Sequence, residues 1–340
     1  MTQSREIRLV RRPRGLPEPA DFALADVRLP APQDGELLVR NTWMSLDPAM
    51  RIRMAGATGY MRPFELGGPL DGMAIGEVVT SRVAQVAPGE QVLHPFGWRE
   101  HAIVRWGATG RAEAAERLQV DGATPARWYL GPLGRVGLTA YVGLLDVGEL
   151  RPADVVFVSG AAGAVGGLVV QIAKLRGHTV VASAGSAAKV AYVRDTLGAD
   201  AAFCYRDGDV GDLLGAAAPD GIDLYFDNVG GGHLEAALAA LRPAGRVALC
   251  GAVATYNAAA PVPGPGNLFA AVAKGLTLRG FLVHAYERRM PEFRNAMRGW
   301  LADGTVVYPE TVAHGLERAP EAFIALLAGE STGKALVALG

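Results

Sequence analysis

The chain has 340 residues, more than the ~250–300 at which a single hydrophobic core stops growing, so two domains are expected. Half of it is apolar and a fifth charged, unlike a disordered chain; 33 Lys plus Arg against 34 Asp plus Glu leave a net charge of −1 and no global field for nucleic acid or an anionic membrane. Two cysteines (Cys204, Cys250) cannot build a disulfide framework, and neither a signal-peptide core nor a run of ~18 apolar residues is found, so a soluble, cytoplasmic enzyme is expected, with no nucleic-acid or membrane partner.

In chain order, residues 1–125 read as β-rich and irregular. Short β-branched runs at 36–40, 75–79 and 101–104 are broken by Gly and Pro, as strands and turns are. Trp43, Met44 and Met50 suit a pocket wall or an ordinary core equally well. A Gly-flanked loop at 55–64 (AGATGYMRPF) carries Tyr60. From 154 to about 279 the texture changes to short apolar runs alternating with helical patterns, the signature of βαβ units and a parallel sheet. Strands are predicted at 155–159, 179–184, 222–226 and 246–250. Between the first two, Val165, Leu168, Val169, Ile172 and Leu175 recur at spacings of three and four, a helix that Gly177 stops. The PVPGPG stretch at 261–266 reads as a loop near a pocket or as a plain surface turn. A helix over 321–328, with Phe323, Leu326 and Leu327 on one face, ends at Gly329 and precedes a strand at 334–339. The predicted organisation is a β-rich catalytic domain from residues 1–125 plus 310–340, and a dinucleotide-binding domain from residues 126–309.

The strand at 155–159 runs through Gly160-Ala161-Ala162-Gly163-Ala164-Val165-Gly166 straight into the helix. This is a variant of the Rossmann phosphate-binding turn, with Ala161 in place of the first glycine. Gly163 lets the backbone approach a pyrophosphate, Gly166 lets the helix pack on the strand, and the helix N-terminus supplies N–H donors. A lone G-x-x-G is also met as a purely structural turn; here the strand, the turn, the helix and the further βα units agree on a dinucleotide.

NAD-binding folds place an acid at the end of the second strand to hold the ribose 2′-OH. Here that strand ends Ala182-Ser183-Ala184-Gly185-Ser186, without one. Ser186 reads as the N-cap of the next helix, with Lys189 in its first turn. A lysine there gains nothing from the helix dipole, and a 2′-phosphate would explain it, with Tyr205 and Arg206 as helpers; the alternative is a solvated surface lysine. NADP is favoured over NAD.

The segments 159–177 (SGAAGAVGGLVVQIAKLRG), 185–192 (GSAAKVAY), 226–231 (FDNVGG) and 250–257 (CGAVATYN), extended by 45–53 (SLDPAMRIR) and 137–145 (GLTAYVGLL), resemble the zinc-independent medium-chain dehydrogenase/reductases over nearly the whole chain. The likeness is to their prostaglandin/leukotriene B4 reductase, 2-alkenal reductase and curcumin reductase branch. It implies an α/β fold in which a doubly wound Rossmann domain is inserted into a β-rich, GroES-like catalytic domain. It also implies NADPH-dependent reduction of the C=C bond of α,β-unsaturated ketones or aldehydes. By the same resemblance, Gly163, Ala164, Val165 and Gly166 meet the pyrophosphate, and Lys189 and Tyr205 the 2′-phosphate. Asn228 matches the family's strand-end asparagine among the cofactor contacts, the loop from Cys250 through Gly251 and Ala252 to Tyr256 its Cys-Gly-Ala loop, and Phe281, Leu282 and Val283 its nicotinamide-side segment. Three departures are visible. Ser331 stands where mammalian members have an asparagine beside the nicotinamide, Ala273 where prostaglandin reductases carry a tyrosine, and Arg135-Val136 replaces a Met-Pro pair.

The slot in which zinc-dependent relatives hold their first cysteine is here Ser45-Leu46-Asp47-Pro48, and His94 and His101 lack a Cys or Glu partner at ligand spacing, so no metal is expected. Hydride delivered to the β-carbon of an enone leaves negative charge on the carbonyl oxygen, which a protein donor must meet. Tyr60 and Tyr256 are the candidates, Tyr60 alternatively only covering the pocket. The partners expected are an enone or enal substrate and a second copy of the chain, in a homodimer. Quinone reduction on the same fold and a non-catalytic NADPH-binding protein are the rival readings.

Overall fold

The computed structural model describes residues 1–56, 61–107, 115–120, 122 and 124–340. Two compact units emerge, one from residues 1–130 with 310–340, the other from 131–309.

The first unit begins with a hairpin, β1 (Thr2–Leu9) antiparallel to β2 (Phe22–Leu29) along its whole length. β3 (Glu36–Ser45) is followed by the short helix α1 (Met50–Met54), then β4 (Ala74–Ser81), β5 (Gln91–His94), β6 (His101–Arg105) and β7 (Glu116–Arg117). The three predicted strands fall inside β3, β4 and β6. β3 pairs with both β4 and β6 and feeds two cores. Leu37 and Val39 alternate inward against Val78, Val92 and Val104, the period-2 pattern of a strand. A register shift against β4 between Asn41 and Trp43 then turns Met44 into a second cluster with Met50, Trp98 and Phe323. Met44 and Met50 are therefore core; both are essentially without exposure.

The second unit opens with helix α2 (Arg135–Val142) and builds β8 (Val155–Val158), α3 (Ala164–Leu175), β9 (Thr179–Ala184), α4 (Ala187–Ala191) and β10 (Ala201–Cys204). It continues with α5 (Val210–Ala217), β11 (Ile222–Asp227), α6 (Gly231–Ala240), β12 (Leu241–Leu249), α7 (Val253–Tyr256), α8 (Ala270–Lys274), β13 (Thr277–Gly280) and α9 (Met290–Ala302). Its six strands are all parallel, in the order β10-β9-β8-β11-β12-β13. Renumbered within the unit this is 3-2-1-4-5-6, the doubly wound order of dinucleotide-binding sheets. The central strands β8, β9 and β11 are near-continuous apolar, buried runs, as strands of a sheet covered on both faces are. Gly177, with φ of +81°, closes α3 as predicted. The strand predicted at 246–250 instead starts at Leu241, since a bulge takes up Arg242-Pro243-Ala244-Gly245, a stretch that reads as a turn in sequence.

The chain then returns to the first unit with β14 (Glu310–His314), α10 (Ala319–Leu327) and β15 (Lys334–Ala338). β15 pairs with β14 and, antiparallel, with β3, while Phe323 and Leu327 bury the predicted helix face.

Candidate functional site

Strand order reverses between β8 and β11, and open α/β sheets bind ligands in the crevice outside the strand ends at such a point. The chain leaves β8 through Ser159 and Gly160, the latter at φ +60°, and Ala161 donates its N–H to Ser183 O of β9 (3.0 Å). Gly163 is the N-cap of α3, and the first i→i−4 bond is Gly167 N–H to Gly163 O (2.9 Å). The amides of Ala164, Val165 and Gly166 precede that bond and point out of the helix start, as anion-binding donors do. A Cβ on Gly166 would lie 2.4 Å from Gly160 O and 2.9 Å from Ala161 Cα, so only glycine lets α3 sit this close to the turn. A Cβ on Gly163 would meet only Gly160 O, at 3.2 Å, leaving its other side open to a ligand.

At the end of β11 a buried carboxylate gathers the neighbouring chain. Asp227 Oδ1 accepts from the amides of Val229 (2.9 Å) and Gly230 (2.7 Å) and from the Tyr225 hydroxyl (2.7 Å). Tyr225 lies 2.9 Å from Ser159 Oγ, which accepts the Asn228 amide (3.1 Å); Asn228 Nδ2 donates to Ser159 O (2.8 Å). Burial pushes the Asp227 pKa up, and hydrogen bonds from Tyr225, Gly230 and Val229 pull against it. Asp227 O in turn accepts the amides of Cys250 (2.9 Å) and Gly251 (3.0 Å), and Asn228 O that of Val253 (3.2 Å). Sequence reasoning singled out Asn228 in this segment; it missed Asp227, Tyr225 and Ser159, whose partners are up to 69 residues away.

At the other end, Ser186 caps α4 by accepting from Lys189 N–H (3.3 Å). Lys189 is half-buried there, and no acid stands at the end of β9. Tyr205 N–H donates to Ala184 O (3.1 Å), and a Cβ on Gly185 would lie 3.0 Å from the Tyr205 hydroxyl, so this tyrosine and the Gly185 turn are adjacent. Arg206 stacks its guanidinium over the Tyr205 ring (5.7 Å), and His233 meets the same ring edge-on (5.2 Å).

The nicotinamide-side segments from the resemblance lie on one side of the same sheet. The Cys250–Ala252 stretch leaves β12, and the Tyr256 oxygen accepts the Ala252 amide (3.3 Å), folding the loop back on itself. Cys250 is no nucleophile: burial, aided by Asp227, pushes its thiol up to about 12. Phe281 follows β13, and its ring meets Phe226 edge-on (6.5 Å). Leu282 and Val283 come next, Leu282 exposed. Pro261 and Val262 of the PVPGPG stretch line an open cavity of about 500 Å³ with Thr255 and residues 258–260. Ser331 belongs to the first unit, in the turn before β15, and Tyr60 lies outside the described residues.

The zinc slot has an occupant that sequence reading did not foresee. Lys334, 2% exposed, donates from Nζ to Leu46 O (2.7 Å) and Ala335 O (2.9 Å), and pairs with Asp47 (3.2 Å), which also accepts from Ser45 Oγ (2.6 Å). A buried ammonium beside Asp47 leaves that carboxylate poorly suited to a divalent cation. Among the described residues no group of three or more His, Cys, Asp or Glu gathers as a metal site. His94 is fully buried, its pKa pushed down to about 3 by burial and by Arg99.

Residues 5–110 match the family described as N-terminal domain of oxidoreductase, and residues 164–299 the one described as Zinc-binding dehydrogenase. The chain is 36% identical to the NADPH-dependent curcumin reductase of Escherichia coli, covering 97% of this chain and 95% of that protein. It is 37% identical to the NADP(+)-dependent 2-alkenal reductase of Nicotiana tabacum, over 95% and 94% of the two chains. The crystal structure of CurA from Vibrio vulnificus in complex with NADPH superposes with a TM-score of 0.90 at 37% identity, covering 99% of each chain. The chain belongs to the zinc-independent medium-chain dehydrogenase/reductases, in the branch of the curcumin, 2-alkenal and prostaglandin reductases.

Proposed function

We propose that this chain is an NADPH-dependent oxidoreductase that reduces the C=C bond of α,β-unsaturated ketones or aldehydes, without a metal. The observation that carries this is the strand-end crevice of the second unit: a glycine-only helix start at one end, and at the other a strand, β9, that ends without an acid and leads into a helix carrying Lys189 in its first turn. NADPH fits this chain: a 2′-phosphate suits Lys189 and Tyr205, and an anionic pyrophosphate the amides of Ala164 to Gly166, beside the open side of Gly163. When bound, it supplies a hydride. Asn228 and the Cys250–Ala252 turn orient its nicotinamide end, with Phe281 as an apolar wall. Ser331 is assigned to that end from the resemblance alone.

A carbonyl oxygen that gains charge at the β-carbon's reduction needs a donor. Tyr256 is one candidate: its oxygen accepts the Ala252 amide, which holds the phenol at the Cys250–Ala252 turn. Tyr60 is retained as the second candidate. Initial rates of NADPH oxidation over enones, enals, quinones and simple ketones test the reading. Turnover confined to enones and enals is expected; turnover confined to quinones would replace it with quinone reduction, and none at all with a binding protein.

The assembly we propose is a homodimer in the cytoplasm. Among the described residues strand β13 pairs on one side only, with β12, and Phe269 (75% exposed) and Val272 (73%) present apolar surface on the segment just before it. Free thiols at Cys204 and Cys250 suit a reducing compartment. Light scattering should give twice the chain mass, and Val272→Asp should halve it.

A further inference from the structure

We infer that Asp227, through Tyr225 and Ser159, is the positioning core of the nicotinamide side. The inference rests on the NADPH reading above and goes further, because it assigns a role to three side chains that need not touch the cofactor.

Asp227 is 1% exposed, and among the described residues no cation pairs with it. A carboxylate buried without a cation is costly unless hydrogen bonds satisfy it, so its placement calls for a reason. Its partners supply one. The Val229 and Gly230 amides hold the turn after β11, and Gly230, at φ +70°, leads into α6. Tyr225 has a single hydroxyl proton. At 2.7 Å from Asp227 Oδ1 and 2.9 Å from Ser159 Oγ, it donates to the carboxylate and leaves Ser159 Oγ to accept the Asn228 amide. The main-chain oxygen of the same aspartate carries the Cys250 and Gly251 amides. One residue therefore ties together the exits of β8, β11 and β12, the three segments that carry Ser159 to Gly163, Asn228 and the Cys250 turn. Asn228 Nδ2 is already committed to Ser159 O, so its Oδ1 is the atom left to address a ligand, and its aim depends on Ser159.

Two mild variants test this, Tyr225→Phe and Ser159→Ala, each measured alone and in an Asn228→Ala background. NADPH binding is read by fluorescence titration, together with kcat and the KM of an enone. Each single change should weaken NADPH about three- to ten-fold, the worth of one hydrogen bond, and leave the enone KM within about two-fold. In the Asn228→Ala background the same changes should move NADPH affinity by less than about two-fold, because the group they position is gone. Asp227→Leu, which keeps about the same size and removes the acceptor of all three bonds, should weaken NADPH by more than either. Full additivity with Asn228→Ala, or a lowered Tm with unchanged NADPH affinity, would make the network merely structural and overturn the proposal. A wild-type chain that binds no NADPH would remove the functional reading and this proposal together; a wild-type chain that binds it while the variants match it removes only the proposal.

Discussion

The two ends of the strand-end crevice are built from different materials. At the β8 and β11 exits the groups we propose to face the cofactor are main-chain amides and one asparagine, held from beneath by Ser159, Tyr225 and Asp227, all buried. At the β9 and β10 exits the groups are side chains, Lys189, Tyr205 and Arg206, half-buried or exposed on a short helix and a strand end. A main-chain donor cannot be exchanged by substitution; it can only be displaced, so control passes to the buried residues that fix it. A lysine at the rim can be exchanged alone, and on the reading proposed above cofactor choice is decided there.

That contrast breaks most readily at Lys189. One charge-assisted contact to a phosphate contributes about 1.5–3 kcal/mol, so Lys189→Ala should weaken NADPH about ten- to a hundred-fold and leave NADH nearly unchanged. Equal losses for both cofactors would mean that the two ends do not divide the work as described. Gly166→Ala probes the opposite end. Its Cβ would meet Gly160 O at 2.4 Å, and overpacking of this kind costs about 1–3 kcal/mol, seen as a lowered Tm. NADPH and NADH should weaken together, since the turn they share is what moves; an NADPH-only loss would contradict the assignment of the turn.

Acid should reveal which histidines the fold keeps neutral. Burial holds His233, beside Tyr205, at about 4, and burial together with Arg99 holds His94, in the first unit, at about 3. Above pH 6.5 neither state of the chain protonates them, so they contribute nothing. Below it the unfolded chain takes protons that the folded chain refuses, and stability falls by about 1.4 kcal/mol per pH unit for each, levelling off below the folded pKa. At pH 5 that is about 2 kcal/mol each, and His233→Gln should recover its share. A variant with the same acid slope as the parent would show that His233 is protonated in the fold. The smallest effect expected is none: dialysis against a chelator should leave turnover intact, as Lys334 fills the slot that a ligand set would need. Activity lost to the chelator and restored by zinc would reverse this.

The sequence by itself carried the periodic and local features. The apolar runs of β8, β9 and β11, the helix of Val165 to Leu175 stopped by Gly177, the Ser186 cap and the missing acid after β9 each depend on residues a few positions apart, where spacing reports geometry directly. Features set by distant pairing were not legible. The bulge at 242–245 looks like a turn until β11 is laid beside it, and Met44 suits a pocket wall or a core equally until a register shift turns it into the core. Asp227 reads as one more acid in FDNVGG; only the sheet order, which brings Ser159 across from β8, makes it a buried acceptor. Lys334 is in sequence only the first residue of a predicted strand, and it becomes a buried cation only because β15 pairs with β3, 288 residues from Leu46. Burying a charge requires partners on every side, and a linear sequence shows only those on its own strand.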